Sequence, residues 1–183
     1  GMTDLSRWKP RLSIIAFVVA PACALAGVSF VGEEVGTTNP DYGHPTLFGP
    51  PPSCSREVDA ARRARKAEQL GRFHAERYPY DPRDGIRAVA LFQEAQSCYQ
   101  QSRLREHAGR VERLASNLMA RIDVDYASSR LVLDGALAAE KWRLALAEIE
   151  QLLRLTEHVS GHAYVEYLLS NRGKVTVRAH DAR

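Results

Sequence analysis

The sequence predicts an all-α fold: antiparallel helical hairpins that follow an apolar N-terminal segment and a Pro/Gly-rich linker. Three observations carry that prediction. Beyond residue 54, small and apolar residues recur in steps of three and four, the period of a helix with one buried face. Pro79 and Pro82 are the only prolines in that region, so helix-length stretches run uninterrupted on either side of them. Alanines stand beside bulky residues at helical spacing, as in Ala88, Phe92 and Ala95 or Trp142, Ala145 and Ile149, which lets neighbouring helices approach closely.

The chain of 183 residues has room for one domain plus appendages, and the first fifty residues read as the appendage. Residues 12 to 31 hold no charge; Arg7, Lys9 and Arg11 precede them, and Glu33 and Glu34 follow. That order is the pattern of an export signal or a signal-anchor, and twenty such residues reach about 30 Å as a helix, enough to span a bilayer. Ala24-Leu25-Ala26 before Gly27 is a candidate cleavage site, so removal and retention as a transmembrane helix both stand. Cys23 offers a third reading, lipidation, although Ala20-Pro21-Ala22 departs from the lipobox preference for Leu three positions upstream. All three place the helical domain outside the cytoplasm, periplasmic or membrane-anchored.

Residues 32 to 53 carry five prolines and four glycines and read as an extended linker, with Leu47 and Phe48 the apolar pair that could dock on the domain. The helical domain is expected over 54–173. Its first helix has Ser53 or Ser55 as candidate cap, carries Val58, Ala61, Arg65, Leu70 and Phe73, and stops near Arg77 ahead of the prolines. The second runs from Pro82 or Arg83 to Tyr99 with Asp81 as N-cap. Leu104, Ala108, Val111, Ala115, Leu118, Ile122, Tyr126, Ser129, Leu133 and Ala136 then keep one face over residues 103–139, predicting a helix roughly 55 Å long. A break near Asp123-Val124-Asp125, with Asp125 capping a new helix, is the competing reading. Glu140-Lys141 turns into a helix from Trp142 to Thr156, and a last helix starts at His162, ends at Gly173 and leaves residues 174–183 as a frayed tail.

The stretch from Trp142 to Leu153, with Ala145, Ile149 and Leu152-Leu153 in step, resembles the second helix of a tetratricopeptide repeat, and Ala88, Phe92 and Ala95 have the same small-large-small spacing. Leu70-Gly71 is similar to the family's Leu-Gly pair, although Gly71 lies 17 residues before Ala88, a longer interval than the family has. Leu133 and Ala136 stand where the family's first helix has Gly and Tyr. The resemblance implies a stack of antiparallel helices, not a regular superhelix; a generic amphipathic bundle explains the same residues. It also implies protein or peptide binding in a groove lined by first helices, here drawn from residues 104–137, with Arg105, Arg113, Arg121 and Arg130 as candidate contacts.

Cys54 opens the first helix and Cys98 closes the second, so antiparallel packing sets them side by side. In an oxidising compartment they are disulfide candidates, with roughly 4 kcal/mol from closing a loop of about 45 residues; two buried unpaired cysteines are the alternative. His158 and His162 are four apart, but Val159-Ser160-Gly161 places them at a helix junction, so no metal site is expected. Asp123 and Asp125 are two apart and diverge on a helix, and Ser128-Ser129 lacks the turn of a nucleophile elbow. No catalytic group or cofactor site is assigned. With a net charge of +3, the Arg62-Arg63-Ala64-Arg65-Lys66 run reads as a solvated face, or as a contact for anionic lipid, and no nucleic-acid partner is expected. The expected function is a non-enzymatic adaptor or assembly factor of the bacterial cell envelope, with a protein partner. The alternative is a single-span structural subunit of a membrane complex.

Overall fold

The computed structural model describes residues 42–55 and 59–181. The expectations for residues 1–41, including the 12–31 segment and Cys23, and the placement of Val58 lie outside them. Among the described residues there are five helices and no strand: α1 Ala60–Arg77, α2 Pro82–Gln101, α3 Arg105–Ala138, α4 Trp142–Leu155 and α5 Ala163–Asp181. Each packs against the next in the chain, and α2 also touches α4 across α3.

Starts and stops follow local chemistry. The Asp59 side chain accepts from the Arg62 amide and caps α1, and Asp81 accepts from Arg83 N with Pro82 in the first turn of α2. The expected Ser53 or Ser55 cap is corrected: Cys54 is paired in a disulfide with Cys98, and that attachment holds Ser53–Ser55 against the end of α2, outside the helix. Two turns share one geometry. Arg103 (φ 60°) and Glu140 (φ 54°) are left-handed, and Leu104 N and Lys141 N donate back to Tyr99 O and Ala136 O, closing α2 and α3 with Schellman motifs.

The α1–α2 contact is built from small residues. Ala64, Ala67, Glu68 and Gly71 are the buried residues of α1, while Leu70 and Phe73 point outward, 42% and 54% exposed. A Cβ on Gly71 would lie 2.8 Å from the Phe92 ring, so the glycine lets α1 close on α2. Ala88, Phe92 and Ala95 are all buried in α2. In α3, Ala108, Val111, Ala115, Ile122, Tyr126, Ser129, Leu133 and Ala136 form one buried stripe without interruption, so the helix does not break at Asp125. Asp125 instead accepts from the Tyr78 hydroxyl at 2.7 Å.

α5 runs past Gly173 to Asp181, which corrects the expected frayed tail. Leu168, Val175 and Ala179 keep one buried face, and Arg178 lies 4.5 Å over the half-buried Trp142 ring of α4. That packing outweighs the cost of about 1 kcal/mol for a helical glycine. Within the expected linker, residues 42–48 lie on the domain, with Leu47 in the main core and Phe48 packed against it.

Candidate interaction surfaces

The long helix α3 exceeds what its neighbours cover. On the side away from its buried stripe, Ala120, Val124, Ala127, Leu131 and Ala138 follow one another in steps of three, four and seven, all exposed. Val124 is 67% and Leu131 75% exposed. The stripe extends about 27 Å along the helix and gives it an apolar outer line that the other described residues leave uncovered, the kind of patch that marks docking surfaces.

A second surface lies where α3 and α5 meet the segment Tyr42–Phe48. The Tyr42 ring sits 4.9 Å from Tyr167 of α5, Arg130 of α3 donates to His44 Nε2 at 2.8 Å, and His158 Nε2 donates to the Leu47 carbonyl at 2.8 Å. Arg130 lies over two rings, 4.8 Å from Tyr164 and 5.8 Å from Tyr126. Burial pushes the Tyr164 phenol up to about 12 and raises Tyr126 further. Both stay neutral across the physiological range and pack their rings against Arg130.

Two buried carboxylates bind the helices together. Glu68 of α1 accepts from the Tyr99 hydroxyl of α2 at 2.8 Å, from Arg110 of α3 at 2.8 Å and from Arg72 at 2.9 Å. Burial alone would raise its pKa, but hydrogen bonds from Arg110, Arg72 and Tyr99 prevail and hold the carboxyl at about 2. Asp84 at the start of α2 accepts from Arg77 Nε at 2.9 Å and from His74 Nδ1 at 2.8 Å. Its pKa is lowered, first by the Arg77 hydrogen bond. Neither group is poised to exchange a proton near neutrality.

The four arginines expected to line a groove do not share a face. Steps of eight, eight and nine residues turn a helix by about 80°, 80° and 180°, and the structure does not give the four a common setting. Arg105 and Arg113 are exposed. Arg121 stacks 5.3 Å over Tyr78, and Arg130 is engaged by the tyrosines and His44. His158 and His162 also serve different partners: His158 donates to Leu47, whereas His162 Nδ1 accepts from Tyr164 N at the start of α5. Among the described residues no three His, Cys, Asp or Glu side chains are grouped as a metal would need, and no helix is long and apolar enough to cross a membrane.

Sequence reasoning gave Glu68 and Tyr164 no role at a site and marked only Leu47 and Phe48 of the 42–48 segment as a pair that could dock. For the tyrosines the signal was present: Tyr164 and Tyr167 are three apart on one helix and continue the line of Tyr126. A cleft of about 540 Å³ also opens between α4 and α5, but its Arg172 and Arg83 already pair with Glu150 and Glu157.

The chain matches no known family, no curated protein and no solved structure. The surfaces themselves must therefore carry the functional reading.

Proposed function

We propose that the protein is a non-enzymatic adaptor or assembly factor of the bacterial cell envelope, a tetratricopeptide-like helical stack that docks a protein partner along the outer face of α3. The observation that carries this reading is the exposed apolar stripe centred on Val124 and Leu131. A soluble helix that buries one face normally turns charge to solvent on the other, and an apolar line there is what a partner covers. Three further points support it. The strongly shifted groups Glu68 and Tyr164 are driven away from neutrality, which suits anchoring and not acid–base catalysis. Cys54 and Cys98 stand at bonding distance, a pairing that an oxidising compartment sustains. Residues 12–31 have the charge order of an exported or anchored chain.

The length of that uncharged segment favours a second reading, a single-span subunit of a membrane complex. Crosslinking pull-down from native membranes, with N-terminal sequencing of the captured protein, tests both. A discrete partner recovered with wild type and lost at least tenfold with Val124→Glu/Leu131→Glu, at unchanged melting temperature, supports the proposal. A mature chain starting near Gly27 selects the soluble factor, and an intact N-terminus selects the anchored subunit. Capture that ignores the double substitution contradicts the α3 reading.

A further inference from the structure

The outer line of α3 has a period and an order of side-chain sizes that its occupant must match. Asn117, Ala120, Val124, Ala127, Leu131 and Asp134 are all exposed and follow one another in alternating steps of three and four. That is the 3.5-residue repeat of a coiled-coil seam, on the side of α3 away from its buried stripe. Large and small residues alternate along the seam, and a polar residue closes each end of it.

These sizes and charges complement themselves about one two-fold axis. Let α3 of a second copy cross the seam antiparallel, with the axis at the level between Asp125 and Tyr126. Val124 then faces Ala127 of the second copy, Ala120 faces its Leu131, and each contact recurs by symmetry. Every apolar layer sets a large side chain against a small one, so the two helices close without a gap or a clash. At either end the Asn117 amide meets the Asp134 carboxylate of the second copy, a donor against an acceptor. On one flank Asp123 comes within a turn of Arg130 of the second copy, opposite in charge. Other arrangements lose this match. A parallel pair sets Asp134 against Asp134 and Ala127 against Ala127. An antiparallel pair shifted by one heptad sets Val124 against Asp134 or Leu131 against Arg113, according to the direction of the shift.

We propose that a second copy of this chain occupies the outer line of α3, docked antiparallel in that register. The inference rests on the reading of this line as a docking face and names what covers it. The seam is roughly 26 Å long and one helix wide, less than a tight complex buries, so the dimer is reversible.

Sedimentation of the full chain in detergent, over a micromolar concentration series, should show a monomer–dimer equilibrium. Leu131→Ala leaves a gap in its layer and Ala120→Leu a clash, so each should weaken the dimer about tenfold or more. The double substitution exchanges large and small across the same layer and should return to within about threefold of wild type. A second measurement does not depend on how those variants fold. A photo-crosslinking residue at Ala120, in a chain mixed with isotope-labelled wild type, should give adducts within one turn of Leu131 of the labelled copy. Wild type that stays monomeric throughout the series overturns the proposal. So do adducts that map to Ala120 of the labelled copy, a dimer that none of the substitutions weakens, or a double variant no better than the singles. A monomeric wild type whose position 131 still crosslinks a different protein in native membranes removes the second copy and leaves the proposed function standing. No adduct from position 131 in membranes removes both.

Discussion

At Glu68 one carboxylate receives N–H groups from Arg72 and Arg110 and the O–H of Tyr99, so a single side chain of α1 fixes both α2 and α3. Its pKa is about 2 in the folded chain against an ordinary value of 4.5. A depressed carboxylate stabilises the fold fully above the unfolded value and loses that contribution as pH falls through the folded one. Between about pH 5 and pH 2 the protein should therefore lose up to about 3 kcal/mol from this group. Glu68→Gln should destabilise it at pH 7 by about 2–3 kcal/mol, because two arginines are left facing a neutral amide. The same substitution should flatten the acid limb of the profile. Urea melts of both proteins from pH 7 to pH 2.5 measure this, and parallel acid limbs would show that Glu68 does not control acid stability.

The helices show which features of a sequence can be read directly. In α3 every buried position falls on the stripe from Ala108 to Ala136, because a proline-free helix with one apolar face states its own register. In α1 the buried face consists of Ala64, Ala67, Glu68 and Gly71, small or charged residues that a count of apolar positions does not select, while the larger Leu70 and Phe73 face outward. Gly173 signals a helix end, yet α5 continues because Val175 and Ala179 are buried beyond it. Glycines therefore have opposite roles in different helices. A Cβ at Gly85 would collide with the Tyr78 ring and lie 3.0 Å from Ile122 Cδ1, whereas one at Gly135 would meet nothing within 4 Å. Gly85→Ala should cost about 1–3 kcal/mol through overpacking. Gly135→Ala should stabilise by about 0.5–1 kcal/mol through helix propensity. Thermal melts that shift in the same direction for both would contradict the packing described for the α1–α2 turn.

At the scale of the molecule, the chain folds back to close its first hairpin. Cys54 and Cys98, 44 residues apart, have Cα atoms 4.9 Å apart. This pairing was legible because two antiparallel helices of similar length bring their far ends together. The docking of residues 42–48 was only partly legible: Leu47 and Phe48 stood out as an apolar pair, but Tyr42 and Pro45, which also pack inward, do not stand out in a Pro/Gly-rich stretch. Replacing Cys54 with Ser should lower stability by about 2–4 kcal/mol in chemical denaturation, with no matching effect of reductant on the variant. Wild type and Cys54→Ser unfolding alike under non-reducing conditions would exclude the crosslink.

The central claim is that the outer line of α3 is where a partner protein sits, and a photo-crosslinking residue placed at Leu131 of the full chain in native membranes tests it most directly. The account predicts one discrete adduct from position 131, shared with position 124 and absent from the exposed Gln69 of α1. Equal adducts from all three positions, or none from 131, would contradict it.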